Sequence, residues 1–341
     1  MQDALDREDA NDPKSPSAIT PWLASQIQKM IDDIYDRYKD VDDGQVATYI
    51  PELGKANPKD FGICLATVEG QVFSAGEWDR EFTIQSMCKP FAFQLALERH
   101  GAEETFSHVG VEPSGEAFNS IELDKRTGRP FNPMVNAGAI AVASLIRQDP
   151  VEAGIEFFVE RMSKAAGRQL RIDESVFTSE TATGNRNRAI AYLLLNAGII
   201  DDAVQESLQQ YFAQCSVLVN CHDLALMAAT VANIGNQPIT GEHVFDFQFL
   251  KYMMAVMFSC GLYDYAGNWA VEVGLPAKSG VAGGIFGVVN RQLGIAVYSP
   301  KLDAQGNSVR GILACKDLAS RFGLHAFDFC NVGSNFIQWL L

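Results

Sequence analysis

Residues 83–90 read TIQSMCKP and hold the only Ser-x-x-Lys in the chain, Ser86 with Lys89 three places on. EFTIQ before it reads as extended. KPFAFQLALERHG after it has a helical apolar period that ends at Gly101. Pro90 suits a first helical turn, where its missing N–H costs nothing. Ser86 is therefore expected at or near a helix start, with Lys89 on the same face, because residues three apart are neighbours on a helix. Hydroxyl and amine can meet there, where unpaired backbone N–H groups and the helix dipole favour developing negative charge. A Ser hydroxyl attacks an acyl carbon only with a base in reach, and a lysine serves if burial keeps it neutral. The plain alternative is a capping Ser followed by a solvated Lys. Chance alone gives a chain of this length roughly one Ser-x-x-Lys, so the rest of the sequence has to decide. Its setting counts for burial: MC precedes Lys89 and PFAF follows it, so the lysine either snorkels or is buried for a purpose.

Working outward, Leu23, Ile27, Met30, Ile31, Ile34 and Tyr38 recur at helical spacing between Trp22 and Tyr38. FGICLATV (61–68) and QVFSA (71–75) read as two strands in a tight hairpin across Glu69-Gly70. From about 100 to 265 the pattern is mostly helical, in GAIAVASLI, EAGIEFFVERMSKAAG, NRNRAIAYLLLNAG and CHDLALMAATVANIG. Strand-like runs return in IFGVVN (285–290) and LGIAVYS (293–299), meeting at Arg291-Gln292, before a last helix over about 311–322. Strands at both ends around a helical block predict an α+β fold, an antiparallel sheet built from both termini and carrying helices on its face. The expected organisation is one catalytic domain over 19–341, sheet-bearing in about 19–100 and 265–341 and helical in about 101–264. The polar, acidic residues 1–18 read as a disordered tail. The apolar end, HAFDFCNVGSNFIQWLL, either docks on the body or makes an oligomer contact; both readings stay open.

A net charge of −15 argues against nucleic acid as partner, since a binder concentrates Lys and Arg to neutralise phosphates. No run of about 18 apolar residues exists to span a bilayer, and MQDALDREDAND lacks a signal-peptide apolar region, so the cytoplasm is the default. Seven cysteines cannot all pair, and their spacing suggests no zinc site, so free thiols are expected. The five histidines are scattered without HExxH, and no metal or cofactor is implied.

A second signal lies in LPAKSGVAGG (275–284), where Lys278-Ser279-Gly280 reads as a strand entering a Gly-rich turn. Serine β-lactamases and penicillin-binding proteins pair Ser-x-x-Lys with a later Lys-Thr-Gly on an edge strand. Here Ser replaces Thr and keeps the hydroxyl. An edge strand at that place offers a main-chain N–H to the substrate oxygen, and with the Ser86 N–H it forms an oxyanion hole. GGIFG is no dinucleotide fingerprint, since no helix pattern follows it, and no Gly-x-Ser-x-Gly elbow competes for the nucleophile.

With these residues in place the chain resembles the serine-dependent glutaminases, which hydrolyse L-glutamine to L-glutamate and ammonia on a β-lactamase-like fold. GQVATYIPEL, FTIQSMCKP, EPSGEAFNS, NPMVNAGAI, SETATGNRNRAIAYLL, YFAQCSVLVN, SCGLYDYAGNWA, VGLPAKSGVAGG and YSPKLDAQGNSVRGI follow one another in the family's order. The resemblance implies Ser86 as nucleophile, Lys89 as general base and Tyr263 as the tyrosine beside the nucleophile. It implies Tyr49, Gln85, Asn136, Glu180, Asn187 and Tyr211 as substrate ligands, and Val281 as the residue whose backbone faces the substrate oxygen. Glutamine carries an ammonium, a carboxylate and an amide; Glu180 suits the ammonium, and the Asn amides with tyrosine hydroxyls suit the carboxylate. Taken singly, each has an ordinary alternative as a cap, a turn or a core aromatic. The resemblance also implies a homo-oligomer, dimer or tetramer. Two rivals share the scaffold: a β-lactam or D-alanyl-peptide acyl enzyme, and a non-catalytic ligand sensor.

Overall fold

Ile63 and Leu65, Ile285 and Val289, and Ile295 and Val297 alternate along three runs whose intervening residues are also apolar, the pattern of strands covered on both faces. The computed structural model, which describes residues 20–115 and 120–328, folds these runs into the middle of a five-stranded antiparallel sheet. The expected acidic tail, and all but the first few residues of the apolar C-terminal stretch, lie outside the described residues.

Helix α1 (Pro21–Tyr38) leads to β1 (Gln45–Val46), the hairpin β2 (Gly62–Thr67) and β3 (Val72–Gly76), and the short β4 (Phe82–Thr83). A 3₁₀ turn over Gln85–Cys88 opens α2 (Lys89–His108). Next come α3 (Asn136–Ile146), α4 (Val151–Ala166), α5 (Glu174–Thr183), α6 (Asn185–Asn196) and α7 (Val204–Cys215). Strand β5 (Leu218–Val219) pairs with β4 and precedes α8 (Cys221–Ala232), α9 (Phe247–Cys260) and α10 (Ala266–Glu272). The chain closes with β6 (Ala277–Ser279), β7 (Gly284–Val289), β8 (Leu293–Tyr298), β9 (Lys301–Leu302) and α11 (Val309–Phe322).

The sheet order is β3-β2-β8-β7-β6, so the N-terminal hairpin joins the C-terminal strands through β2 and β8, Gly62 opposite Tyr298. Alternation sends Ile63, Leu65, Ile285, Ile295 and Val297 to one face, against Ile31 and Ile34 of α1, Trp269 of α10 and Leu318 of α11. Cys64, Ala66, Phe286, Val288 and Ala296 face the other way into a larger core that includes α8 and the helical block. Helix α8 lies directly on β8: a Cβ on Gly294 would stand 2.3 Å from the Ala225 carbonyl oxygen. The long segment from α1 to β2 is held by buried Arg310 of α11, which donates to the carbonyls of Lys39, Pro58, Lys59 and Asp60 at 2.6–3.2 Å.

The α+β sheet drawn from both ends is therefore present, with β6 at its edge. One boundary differs from the sequence reading. At Gly101 (φ 78, ψ 171) the helix bends rather than stops, because Ala102–His108 form a further helical stretch behind it. No helix among the described residues is long and apolar enough to cross a membrane.

Candidate active site

The segment that carries Ser86 is set by a short pairing and a sharp turn. Ile84 N–H donates to the Val217 carbonyl at 2.8 Å, anchoring the end of β4. Gln85 then takes a left-handed φ of 49°, a conformation that costs a non-glycine residue about 1 kcal/mol or more. The reversal starts the 3₁₀ turn and leaves Ser86 buried, with Lys89 as the first residue of α2.

Lys89 is 1% exposed, so the buried side of the sequence's two alternatives holds. Its Nζ donates to the Met134 carbonyl at 3.1 Å and to Asn136 Oδ1 at 2.8 Å. Burial depresses its pKa to about 8, with Cys215, Cys88 and Glu180 pulling the other way. A neutral amine has two N–H donors and one lone pair. In the neutral form, which gains ground as pH rises through about 8, Met134 and Asn136 take both donors and the lone pair remains to act as a base. Ser86 is hydrogen-bonded to the Tyr263 phenol, and no direct Ser86–Lys89 hydrogen bond forms among the described residues. Catalytic hydrogen bonds of this kind commonly tighten only when substrate is bound.

Tyr263 opens the 3₁₀ turn Tyr263–Tyr265 with φ 56° and donates to the Ser279 carbonyl at 3.2 Å. Burial pushes its pKa up to about 12, against the lowering effect of its bonds to Ser86 and Ser279, so at neutral pH it is a proton donor. Gly261 allows this approach, since a Cβ there would lie 1.8 Å from the Ala277 carbonyl oxygen of β6. Lys278, fully buried on β6, donates to the same Ser279 carbonyl at 2.8 Å and holds its Nζ 4.0 Å from the Tyr263 ring centre. Burial, then the charge of Lys89, pushes Lys278 well below the usual lysine range. After β6 the turn uses the N–H groups of Gly280 and Gly283, while the Val281 N–H makes no backbone hydrogen bond among the described residues.

Ser86, Gln85, Asn136 and Val281 line a cavity of about 120 Å³ together with Glu180, Asn187 and Tyr211. Asn136 ties its parts together: its Oδ1 accepts from Lys89 and from the Tyr211 hydroxyl (3.3 Å), and its Nδ2 donates to Asn187 Oδ1 at 3.0 Å. Burial raises the Glu180 pKa to about 7, moderated by a hydrogen bond from Gln85 and the charge of Lys89. Tyr49, 57% exposed, stands at the mouth with Arg186. Tyr263 is off the cavity wall, behind Ser86, and reaches the site through its hydroxyl.

The sequence reading passed over three residues here. Lys278 is the lysine of Lys-Ser-Gly, and nothing in that pattern marks its place beside Tyr263. Cys215 lines the cavity, and a helical step of four from Tyr211 puts both on one face of α7. Arg186, next to Asn187, borders the mouth. A larger cavity of about 490 Å³, lined by Phe106, Val111, Phe131 and Tyr252, contains none of the chemical groups described above.

Comparison with known proteins accords with this geometry. The family model described as glutaminase matches residues 44–327. A glutaminase of Nostoc sp. is 52% identical over 315 residues, covering 92% of this chain and 94% of that protein. A glutaminase of Trichormus variabilis is 52% identical over 308 residues, 90% of this chain and 92% of that one. Among solved structures, the probable glutaminase ybaS superposes with a TM-score of 0.87 at 39% identity, covering 89% of this chain and 99% of its own. The glutamate form of Mglu gives 0.85 at 43% identity, over 89% of this chain and 70% of that one. The chain belongs to the glutaminase family.

Proposed function

We propose that the cavity hydrolyses L-glutamine by two-step acyl transfer through Ser86. Neutral Lys89 takes the Ser86 proton, directly once substrate draws the two together. The serine oxygen attacks the side-chain carbonyl of glutamine, and the N–H groups of Ser86 and Val281 hold the oxyanion. The C–N bond breaks as Lys89, assisted by the Tyr263 phenol, returns a proton to the departing ammonia. Water, activated by the same amine, releases glutamate from the ester and restores Ser86.

The observation that carries this reading is the disposition of charge along one small cavity. Ser86 lines it, and Lys89, buried beside it, bonds through its amine to Asn136 of the lining. The same lining holds the carboxyl group of Glu180, the carboxamides of Asn136 and Asn187, and the hydroxyl of Tyr211. Glu180 suits an α-ammonium, which the β-lactam nucleus lacks. The solved glutamate form of Mglu, a structural relative, fits a product of this kind. Ammonia release from glutamine and from asparagine, with Ser86→Ala as control, tests the assignment: turnover of glutamine by the purified chain, abolished by the substitution, is expected. Binding of glutamine without ammonia would replace the enzyme by a sensor. The single catalytic domain over 19–341, the homo-oligomer and the cytoplasmic setting belong to the same reading, and of these the homo-oligomer rests on the family resemblance. Light scattering counts the protomers.

A further inference from the structure

Cys88 and Cys215 meet beneath the cavity with their sulfurs 3.9 Å apart. Neither has a part in the acyl-transfer scheme. Cys88 immediately precedes Lys89 and is fully buried; Cys215 ends α7 and forms part of the cavity wall beside Tyr211. A molecule as small as hydrogen peroxide that enters the cavity can therefore reach Cys215, and Cys88 waits directly behind it. We propose that Cys215 is a site of oxidation by small peroxides and that Cys88 resolves it, closing a Cys88–Cys215 disulfide that switches the enzyme off. The switch-off rests on the catalytic reading of the cavity; the thiol chemistry does not.

The steps balance. Cys215 sulfur attacks one peroxide oxygen, the O–O bond breaks, and water departs with the thiol proton, leaving a sulfenic acid. Cys88 sulfur then attacks the Cys215 sulfur, its proton leaves with the hydroxyl as a second water, and the disulfide forms. Two thiols lose two electrons and two protons, and the peroxide gains them. Its hydrogen bond with Cys88, then burial, pushes the Cys215 thiol well above its ordinary range, so thiolate is scarce at neutral pH and closure quickens as pH rises. A disulfide needs about 2.0 Å between sulfurs. Closing it from 3.9 Å draws the start of α2 towards the end of α7. Lys89 is the next residue after one sulfur, and Tyr211 is one helical turn before the other. A misplacement of about 1 Å at such groups costs about 10²-fold in rate.

The test exposes the full-length wild-type chain to hydrogen peroxide. At intervals the free thiols are blocked, digests are mapped by mass, and ammonia release is assayed with and without dithiothreitol. Expected are a Cys88–Cys215 cross-linked peptide, an activity loss of about 10²-fold that follows its appearance, recovery on reduction, and protection by glutamate in the cavity. Cys88→Ala is expected to turn over glutamine before treatment and, on treatment, to oxidise at Cys215 without any cross-link. Should that variant fail to fold, the wild-type time courses suffice. The proposal is overturned by activity loss without the cross-link, by a cross-link with turnover intact, or by both thiols staying free. Because the cross-link is read by mass, this outcome is independent of whether Ser86→Ala abolishes turnover.

Discussion

Two buried lysines each stand one step from Ser86, Lys89 along the chain and Lys278 through Tyr263, and their surroundings give them different work. Lys89 has two good acceptors, an amide oxygen and a main-chain carbonyl, and a pKa of about 8. Lys278 has one carbonyl and the face of an aromatic ring, and it is pushed well below the lysine range. A lysine on the first turn of a helix, poised near neutral pH, suits proton transfer in both directions. A lysine locked onto an edge strand, sharing the Ser279 carbonyl with Tyr263, holds that phenol against Ser86 and fixes the strand leading to Val281. What distinguishes them is the acceptors within reach, not burial, which is nearly complete for both.

Substitution should separate the two roles. Lys89→Met removes the proposed base and is expected to lower kcat/KM by about 10³-fold. Lys89 is a base only when neutral, and its neutral fraction grows as pH rises through about 8. The wild-type rate should therefore climb across that range to a plateau, and the variant's residual rate should lose that limb. Lys278→Met is expected to cost about 10²-fold in kcat by loosening Tyr263. It should change KM far less and keep the rise near pH 8. If that rise vanished in Lys278→Met and survived in Lys89→Met, the two roles would have to be exchanged.

The substrate end sharpens the contrast, because there binding should change more than chemistry. Glu180→Gln loses a charged partner for the ammonium, worth about 1.5–3 kcal/mol, so KM should rise about 10- to 10²-fold. With its pKa raised to about 7, Glu180 takes up a proton as pH falls through that value. Wild-type KM should accordingly rise on acidification, and the KM of Glu180→Gln should not follow. Tyr211→Phe removes one hydroxyl from Asn136 and should have the smallest effect, about 1 kcal/mol or a few-fold in kcat/KM. Steady-state kinetics over a range of pH reads all four variants.

Much of the fold was legible because it is locally encoded. The hairpin at Glu69-Gly70, the last two sheet strands and the helices of the middle block follow from apolar period and turn residues. The bend at Gly101 was not: a left-handed glycine ends a helix unless tertiary packing supports a further helical stretch behind it, as for Ala102–His108. Of the site, Ser86 and Lys89 could be proposed from one motif, since a spacing of three keeps them near one another, although Lys89 bonds Met134 and Asn136 and Ser86 bonds Tyr263. Asn136, Glu180, Asn187 and Tyr211 come from four separate helices, and the family resemblance rather than spacing brought them forward. The resting partners of Lys89, Met134 and Asn136, arise from packing of α2 against the start of α3, and no local pattern announces them. Lys278 was overlooked because its part depends on facing an aromatic ring 15 residues earlier in the sequence, a contact only the folded chain displays.

The central claim is a covalent one, an ester between Ser86 and the side-chain carbonyl of glutamine. The most direct measurement stops wild-type turnover with acid and maps the digested protein by mass. The expected result is one glutamyl residue added to the Ser86 peptide while glutamine lasts, absent from Ser86→Ala. Full ammonia release with that peptide always unmodified, together with an active Ser86→Ala, would contradict the account.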